Sequence, residues 1–167
     1  MNPVTPERIE IAKAYGLTNV ETIATVCRKV GIPFFAACAL FEKESGGRNV
    51  FGHDAGGALS GYSGPVNKHT YAVFRWLVFE KGQTSNGVGP SQITYKGFFE
   101  QMEEDGLKPW KVEDNMYFGL SLLWGYYLFG RRDWVYAGKR YNGAESYGID
   151  LANKVYDWRV RLKVGQK

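Results

Sequence analysis

The sequence predicts a mainly α-helical domain with one glycine-rich lobe, and three observations carry that expectation. Helix start and stop residues recur at close intervals from residue 6 onward. The segment 34–41 is apolar on every side, as a helix running through the middle of a domain would be. Between residues 46 and 65 the helical pattern breaks at Gly46, Gly47, Gly52, Gly56, Gly57 and Gly61, joined by Asn49, Asp54 and Ser60.

Taken in order, Pro6 at a first-turn position opens a short helix over Ile9, Ile11, Ala12 and Tyr15, which stops at Gly16. Thr18 and Glu21 have capping-box spacing and open a second helix through Ile23, Val26 and Val30, closed by Gly31. Pro33 starts a third helix that runs to Ser45 and is stopped by Gly46-Gly47. The glycine-rich loop follows, with a short hairpin as an option; loops of this length in a compact domain are usually functional or disordered. Helical pattern resumes over 70–80 and again over 95–105. Asp114 or Asn115 is expected to cap a long apolar helix ending at Phe129, and two more helices are expected over 134–140 and 146–164. No repeat or linker interrupts residues 1–167, so a single domain is expected.

The bulk composition narrows the function classes. A chain of 167 residues can bury a core without disulfides or metal. With 44% hydrophobic and 23% charged residues it is no disordered segment. Its 5 Trp, 11 Tyr and 10 Phe suit either an aromatic core or a groove that stacks on sugar rings. The formal charge of +4 favours acidic partners such as nucleic acid, anionic lipid or an anionic cell wall. No Lys/Arg run exceeds two residues, as in Arg131-Arg132, which argues against a dedicated nucleic-acid stripe. Cys27 and Cys38 fall in apolar helical segments and read as small buried hydrophobes, without the histidine spacing of a zinc site. Glu7, Arg8, Glu10 and Lys13 exclude a signal peptide in the first 16 residues, and no apolar run reaches transmembrane length. A protein soluble as made is expected, any export coming from elsewhere.

Glu44 is the residue on which the functional reading turns. It stands four residues after Leu40 and eight after Ala36, in line with apolar residues of the buried helix. It also lies in the last turn, where the helix's partial negative charge and apolar surroundings both disfavour a carboxylate. A carboxyl group kept protonated near neutral pH can donate to a glycosidic oxygen. A surface glutamate near a helix end is the plainer alternative, and periodicity does not separate Glu44 from Glu42.

Three blocks bear on that choice: ALFEKESGG at 39–47, GVGPSQIT at 87–94 and RYNG at 140–143. In order and rough spacing they resemble the Glu-Ser, Gly-Leu-Met-Gln-Ile and Ala-Tyr-Asn motifs of soluble lytic transglycosylases and goose-type lysozymes. With NVFGHD at 49–54, the chain looks most like the lysozyme-like domain of endolysins from phages of mycobacteria and related actinobacteria. The resemblance covers about residues 33–160 and implies a lysozyme-like fold with the glycine-rich lobe beside an active-site cleft. It implies cleavage of the β-1,4 bond between N-acetylmuramic acid and N-acetylglucosamine in peptidoglycan. By that resemblance Glu44 matches the catalytic glutamate and Ser45 the serine that supports it. Ser91 and Gln92 match residues that line the sugar cleft, Tyr141 matches a tyrosine near the acid, and Asn142 the asparagine beside it. Pro90-Ser91 stands where the family has Leu-Met, and Arg140 replaces an alanine, so the subsite contacts are expected to differ.

Glycosidases commonly need a second carboxylate. Asp54, across the glycine-rich turn, is the candidate base or transition-state stabiliser, an Asx-turn residue being the alternative. If Asp54 is only structural, the resemblance implies a lytic transglycosylase in which the substrate's own 6-hydroxyl attacks. His53 reads as a loop residue, the Glu103-Glu104-Asp105 run as solvated, and Glu113-Asp114 and Glu145 as residues of helix starts. A chitinase-like hydrolase and a non-catalytic wall-binding module are the competing readings. No metal or cofactor is expected. The expected partner is the glycan strand, with a monomeric protein and neither nucleic acid nor membrane insertion. The resemblance also implies synthesis in a host bacterial cytoplasm and release to the wall by a separate membrane-permeabilising protein.

Overall fold

The computed structural model describes residues 4–164. Among them are eight α-helices: α1 (Pro6–Ala14), α2 (Val20–Val30), α3 (Phe34–Glu44), α4 (Lys68–Arg75), α5 (Lys96–Glu104), α6 (Val112–Phe129), α7 (Trp134–Asn142) and α8 (Glu145–Arg161). A π-helical turn, Trp76–Glu80, continues α4. The fold is mainly α, and no helix among the described residues is long and apolar enough to cross a membrane. The glycine-rich lobe contains isolated β-bridges, Val50 to Pro65, Phe51 to Val88, Val88 to Ile93 and Gly57 to Thr84, in place of a regular hairpin.

Two cores share the molecule. The first gathers α1, α2, α3, α7, α8 and one side of α6, with Ile23, Leu40, Phe41, Leu120 and Trp158 fully enclosed. The second lies beneath the lobe and contains Phe51, Phe74, Val88, Phe99 and Met102. Helix α6 joins them, giving Met116, Leu120 and Leu123 to the first and Phe118 to the second. Seven of the eleven residues of α3 are buried, including every residue from Ala36 to Phe41, as expected of a central helix.

Several polar residues serve ends other than those the sequence suggested. The capping box expected at Thr18 does not form. Thr18 donates its hydroxyl to the Gly46 carbonyl at 3.0 Å, and Asn19, in a left-handed conformation, donates to the Gly47 carbonyl at 2.8 Å. Both side chains clamp the end of α3 instead of starting α2. Helix α6 begins at Val112, so neither Asp114 nor Asn115 is its cap. Asp114 accepts from the Lys108 N–H at 3.0 Å. Asn115 is fully buried in the first turn: it accepts from the Ser91 N–H at 2.9 Å and donates to the Val88 and Pro109 carbonyls at 3.0 and 3.3 Å. Glu103 is not simply solvated. Arg75 forks onto it at 3.0 and 3.0 Å and Tyr71 donates to it at 3.0 Å.

Helices α7 and α8 form a hairpin about Gly143 whose backbones nearly touch. A Cβ on Gly148 would strike the Val135 carbonyl, and one on Gly138 would lie 2.8 Å from Gly148 Cα. Only glycine permits this approach, which brings the end of α7 and the start of α8 to one place.

Replacing Asn115 with alanine strands a buried N–H and weakens two buried carbonyls. Asn115→Ala is expected to lower unfolding stability by about 3 kcal/mol, read from urea denaturation; a change within 0.5 kcal/mol, roughly the range of neutral surface substitutions, would contradict this role.

Candidate active site

The last residue of α3, Glu44, lies where two compartments meet. The larger, about 600 Å³, is lined by Thr84, Ser85, Ile93, Tyr95 and Phe98 on one flank and by Tyr141 and Asn142 on the other. The smaller, about 260 Å³, is lined by Arg48, His53, Tyr62 and Ser63 of the glycine-rich lobe. Glu44 and Gln92 border both. A chain molecule laid across the two would pass over the Glu44 carboxyl.

Tyr147, in the first turn of α8, donates its hydroxyl to Glu44 Oε1. Its ring stacks on Tyr141, with centroids 6.5 Å apart, and carries the Lys43 ammonium 4.3 Å above its face. Lys43 in turn pairs with Asp150. Burial pushes Glu44 up to about 7 from its ordinary 4.5; the Tyr147 hydrogen bond and Lys43 oppose the rise, and the charge of Asp54 adds to it. Burial and the Glu44 charge also hold the Tyr147 hydroxyl well above its usual range, so it remains a donor.

The expected site residues divide by what their polar atoms touch. Tyr141 lines the larger compartment and donates to the Ser91 carbonyl at 2.7 Å. Asn142 is exposed beside it at the end of α7. Gln92, in a left-handed turn conformation, donates to the Gly89 and Val50 carbonyls at 2.8 and 3.2 Å. Ser45 borders the smaller compartment, but its hydroxyl donates to the Pro90 carbonyl at 2.8 Å. Ser91 departs from expectation. It is fully buried, with its N–H and hydroxyl both bonded to Asn115, so it supports the cleft wall from behind without facing a ligand. Asp54 is exposed on the lobe; one carboxylate oxygen accepts from the Gly87 N–H at 2.8 Å and its carbonyl accepts from Gly57 at 2.9 Å. His53 is an exposed loop residue on the wall of the smaller compartment.

Three residues important to the site went unread in the sequence. Tyr147 lies beyond the Gly143 turn, and only the α7–α8 hairpin brings it to Glu44. Asn86 is fully buried and holds the lobe together, accepting from Leu59 N–H and donating to the Gly52 carbonyl, each at 2.8 Å. Asn115 sits in the first turn of α6, where its sequence position pointed to a cap. The i+6 spacing of Tyr141 and Tyr147 across a glycine was the one available signal for the first of these.

No protein-family model, curated protein or solved structure matches the chain. The chemistry therefore rests on the site itself. It is a carboxyl able to hold a proton near neutral pH, oriented by a tyrosine, at the floor of an open cleft.

Because Glu44 holds its proton more tightly when folded, protonation stabilises the fold. That contribution is complete below 4.5 and is lost as pH rises through about 7. Glu44→Gln removes the loss. The variant is expected to exceed wild-type stability by up to about 3 kcal/mol near pH 8 and to match it near pH 4.5, in urea titrations at the two pH values; an equal difference at both would contradict the shifted carboxyl.

Proposed function

We propose that this protein cleaves the β-1,4 bond between N-acetylmuramic acid and N-acetylglucosamine in peptidoglycan, with Glu44 as general acid, on a lysozyme-like domain. One observation carries the reading: a glutamic acid raised to about 7 by burial borders two neighbouring compartments. A glycan strand lying across the cleft would present a glycosidic oxygen to that carboxyl. The proton passes to the leaving oxygen as the bond to the anomeric carbon breaks, and positive charge develops on the sugar ring. Tyr147 then stabilises the Glu44 carboxylate that remains.

What attacks the anomeric carbon separates two forms of the reaction. In a hydrolase a water attacks, assisted by a second carboxylate, and Asp54 is the candidate. In a lytic transglycosylase the substrate's 6-hydroxyl attacks, returns its proton to Glu44 and leaves a 1,6-anhydro end. The bond from the Gly87 N–H to Asp54 gives that carboxylate a structural use and so favours the second form. Against a purely binding module stands the burial of Glu44, since a wall-binding surface gains nothing from a carboxyl withdrawn from water. The reading calls on no metal or cofactor.

Mass spectrometry of fragments released from purified peptidoglycan tests this. Glu44→Gln is expected to lose roughly 10²–10⁴ of the rate, and anhydro ends with Asp54→Asn little affected would mark the transglycosylase. Reducing ends with Asp54→Asn inactive would mark the hydrolase, and equal release by Glu44→Gln would refute both. The rate should also fall as pH rises through about 7. Tyr147→Phe removes a hydrogen bond that favours the ionised carboxyl, so that fall should move to higher pH in the rate profile.

A further inference from the structure

The smaller compartment contains a cation, Arg48, whose charge no carboxylate among the described residues answers. Arg48 is exposed at its wall, four residues beyond Glu44. Its Nε donates to the Ser45 carbonyl at 2.7 Å, which anchors the guanidinium against the end of α3. The two terminal nitrogens have no hydrogen-bond partner among the described residues, and no described carboxylate lies within ion-pair distance. Of the other cations near the cleft, Lys43 pairs with Asp150, and Lys96 in the larger compartment has its ammonium drawn to the Val78 carbonyl at 2.8 Å and toward the Phe79 ring. The charges that act on the Glu44 proton are those of Lys43 and Asp54, and Arg48 is not among them. His53, Tyr62 and Ser63 complete the wall and add further groups able to donate. The two sides of Glu44 thus differ. One is lined mostly by aromatic and neutral groups, with its one lysine, Lys96, turned onto the Val78 carbonyl, and the other holds a guanidinium whose terminal nitrogens are unpaired among the described residues.

We propose that the compartment between Glu44 and Arg48 is a carboxylate-accepting subsite, where the planar fork of Arg48 pairs with an acid group carried by the sugar on that side of the scissile bond. The inference rests on the glycan-cleaving reading above and extends it. An arginine held by Nε presents its remaining donors side by side, as a carboxylate requires. Such a pair would set the direction of the strand, placing the acid-bearing sugar on the lobe side and the neutral sugar against Tyr95 and Phe98. It would also make the enzyme favour an acid-bearing glycan over a neutral amino-sugar polymer. The carboxylate can come from an acid ether on the sugar or from a peptide attached through that ether.

The test measures kcat and KM for wild type, Arg48→Gln and Arg48→Lys on three glycans: peptidoglycan strands with peptide stems, strands stripped of stems so that the ethers end in free carboxylates, and a neutral N-acetylglucosamine polymer. Arg48→Gln is expected to reduce the preference for acid-bearing over neutral glycan by about tenfold or more, through KM, with Arg48→Lys recovering part of it. A loss confined to stem-bearing strands assigns the carboxylate to the peptide, and a loss on stripped strands assigns it to the sugar. A preference unchanged within twofold, or an equal loss on all glycans with a lowered Tm, overturns the subsite and leaves Arg48 as a cap on α3. If wild type does not cleave the neutral polymer, KM on the acid-bearing strands decides alone, and an unchanged KM overturns the proposal. A wild type that cleaves none of the three refutes the glycan-cleaving reading and the subsite with it.

Discussion

Ser91 donates its N–H to Asn115 and its hydroxyl to the Asn115 carbonyl, while its own carbonyl accepts from Tyr141. One residue earlier, the Pro90 carbonyl accepts from Ser45. The turn 88–92 is thereby tied to α3, α6 and α7, and the pairing of 50–52 with 87–89 ties it to the lobe as well. The bonds from Ser91 to Asn115 and from Ser45 to Pro90 are buried, so each replaces a lost contact with water and none can be dropped without leaving a polar group unsatisfied. Gly119 is part of the same arrangement: a Cβ there would collide with the Ser91 hydroxyl and lie 3.0 Å from the Tyr141 hydroxyl. The floor of the cleft is rigid because three helices and a loop converge on one short turn.

That rigidity explains how the protein tolerates Glu44. A carboxyl withdrawn from water either pairs with a cation or keeps its proton. The nearest cation, Lys43, belongs to the same turn of α3 but is drawn onto the Tyr147 ring and toward Asp150. Tyr147 supplies one hydrogen bond, which is too little to offset burial. The contrast with Glu42, two residues earlier, shows what full pairing looks like. Glu42 accepts from Trp158 at 2.7 Å and from Arg161 at 3.3 Å, and serves to join α3 to α8. Two glutamates on one helix thus meet opposite surroundings, one answered and one left poised for proton transfer.

Much of this is legible in the amino-acid sequence. The apolar run of α3 and the Gly46-Gly47 stop placed a carboxylate at the end of a buried helix, because periodicity and helix termination are local properties. The glycine-rich stretch marked the lobe for the same reason. Long-range hydrogen bonding was not legible. Thr18 and Asn115 have the composition and spacing of helix caps, yet each finds a stronger use in a carbonyl or amide far away in sequence. Tyr147 reaches Glu44 only because Gly138 and Gly148 let two helices approach, a fact of backbone contact that spacing alone does not express. Ser91 was expected to face a ligand, and its burial follows from Asn115, whose position the sequence did not reveal.

The most direct test of the account is a titration of the Glu44 carboxyl carbon by NMR in protein labelled at glutamate, assigned by comparison with Glu44→Gln. The account predicts a midpoint near 7. A midpoint near 4.5, the ordinary carboxylate value, would mean that Glu44 is ionised in neutral solution and would contradict its role as the acid.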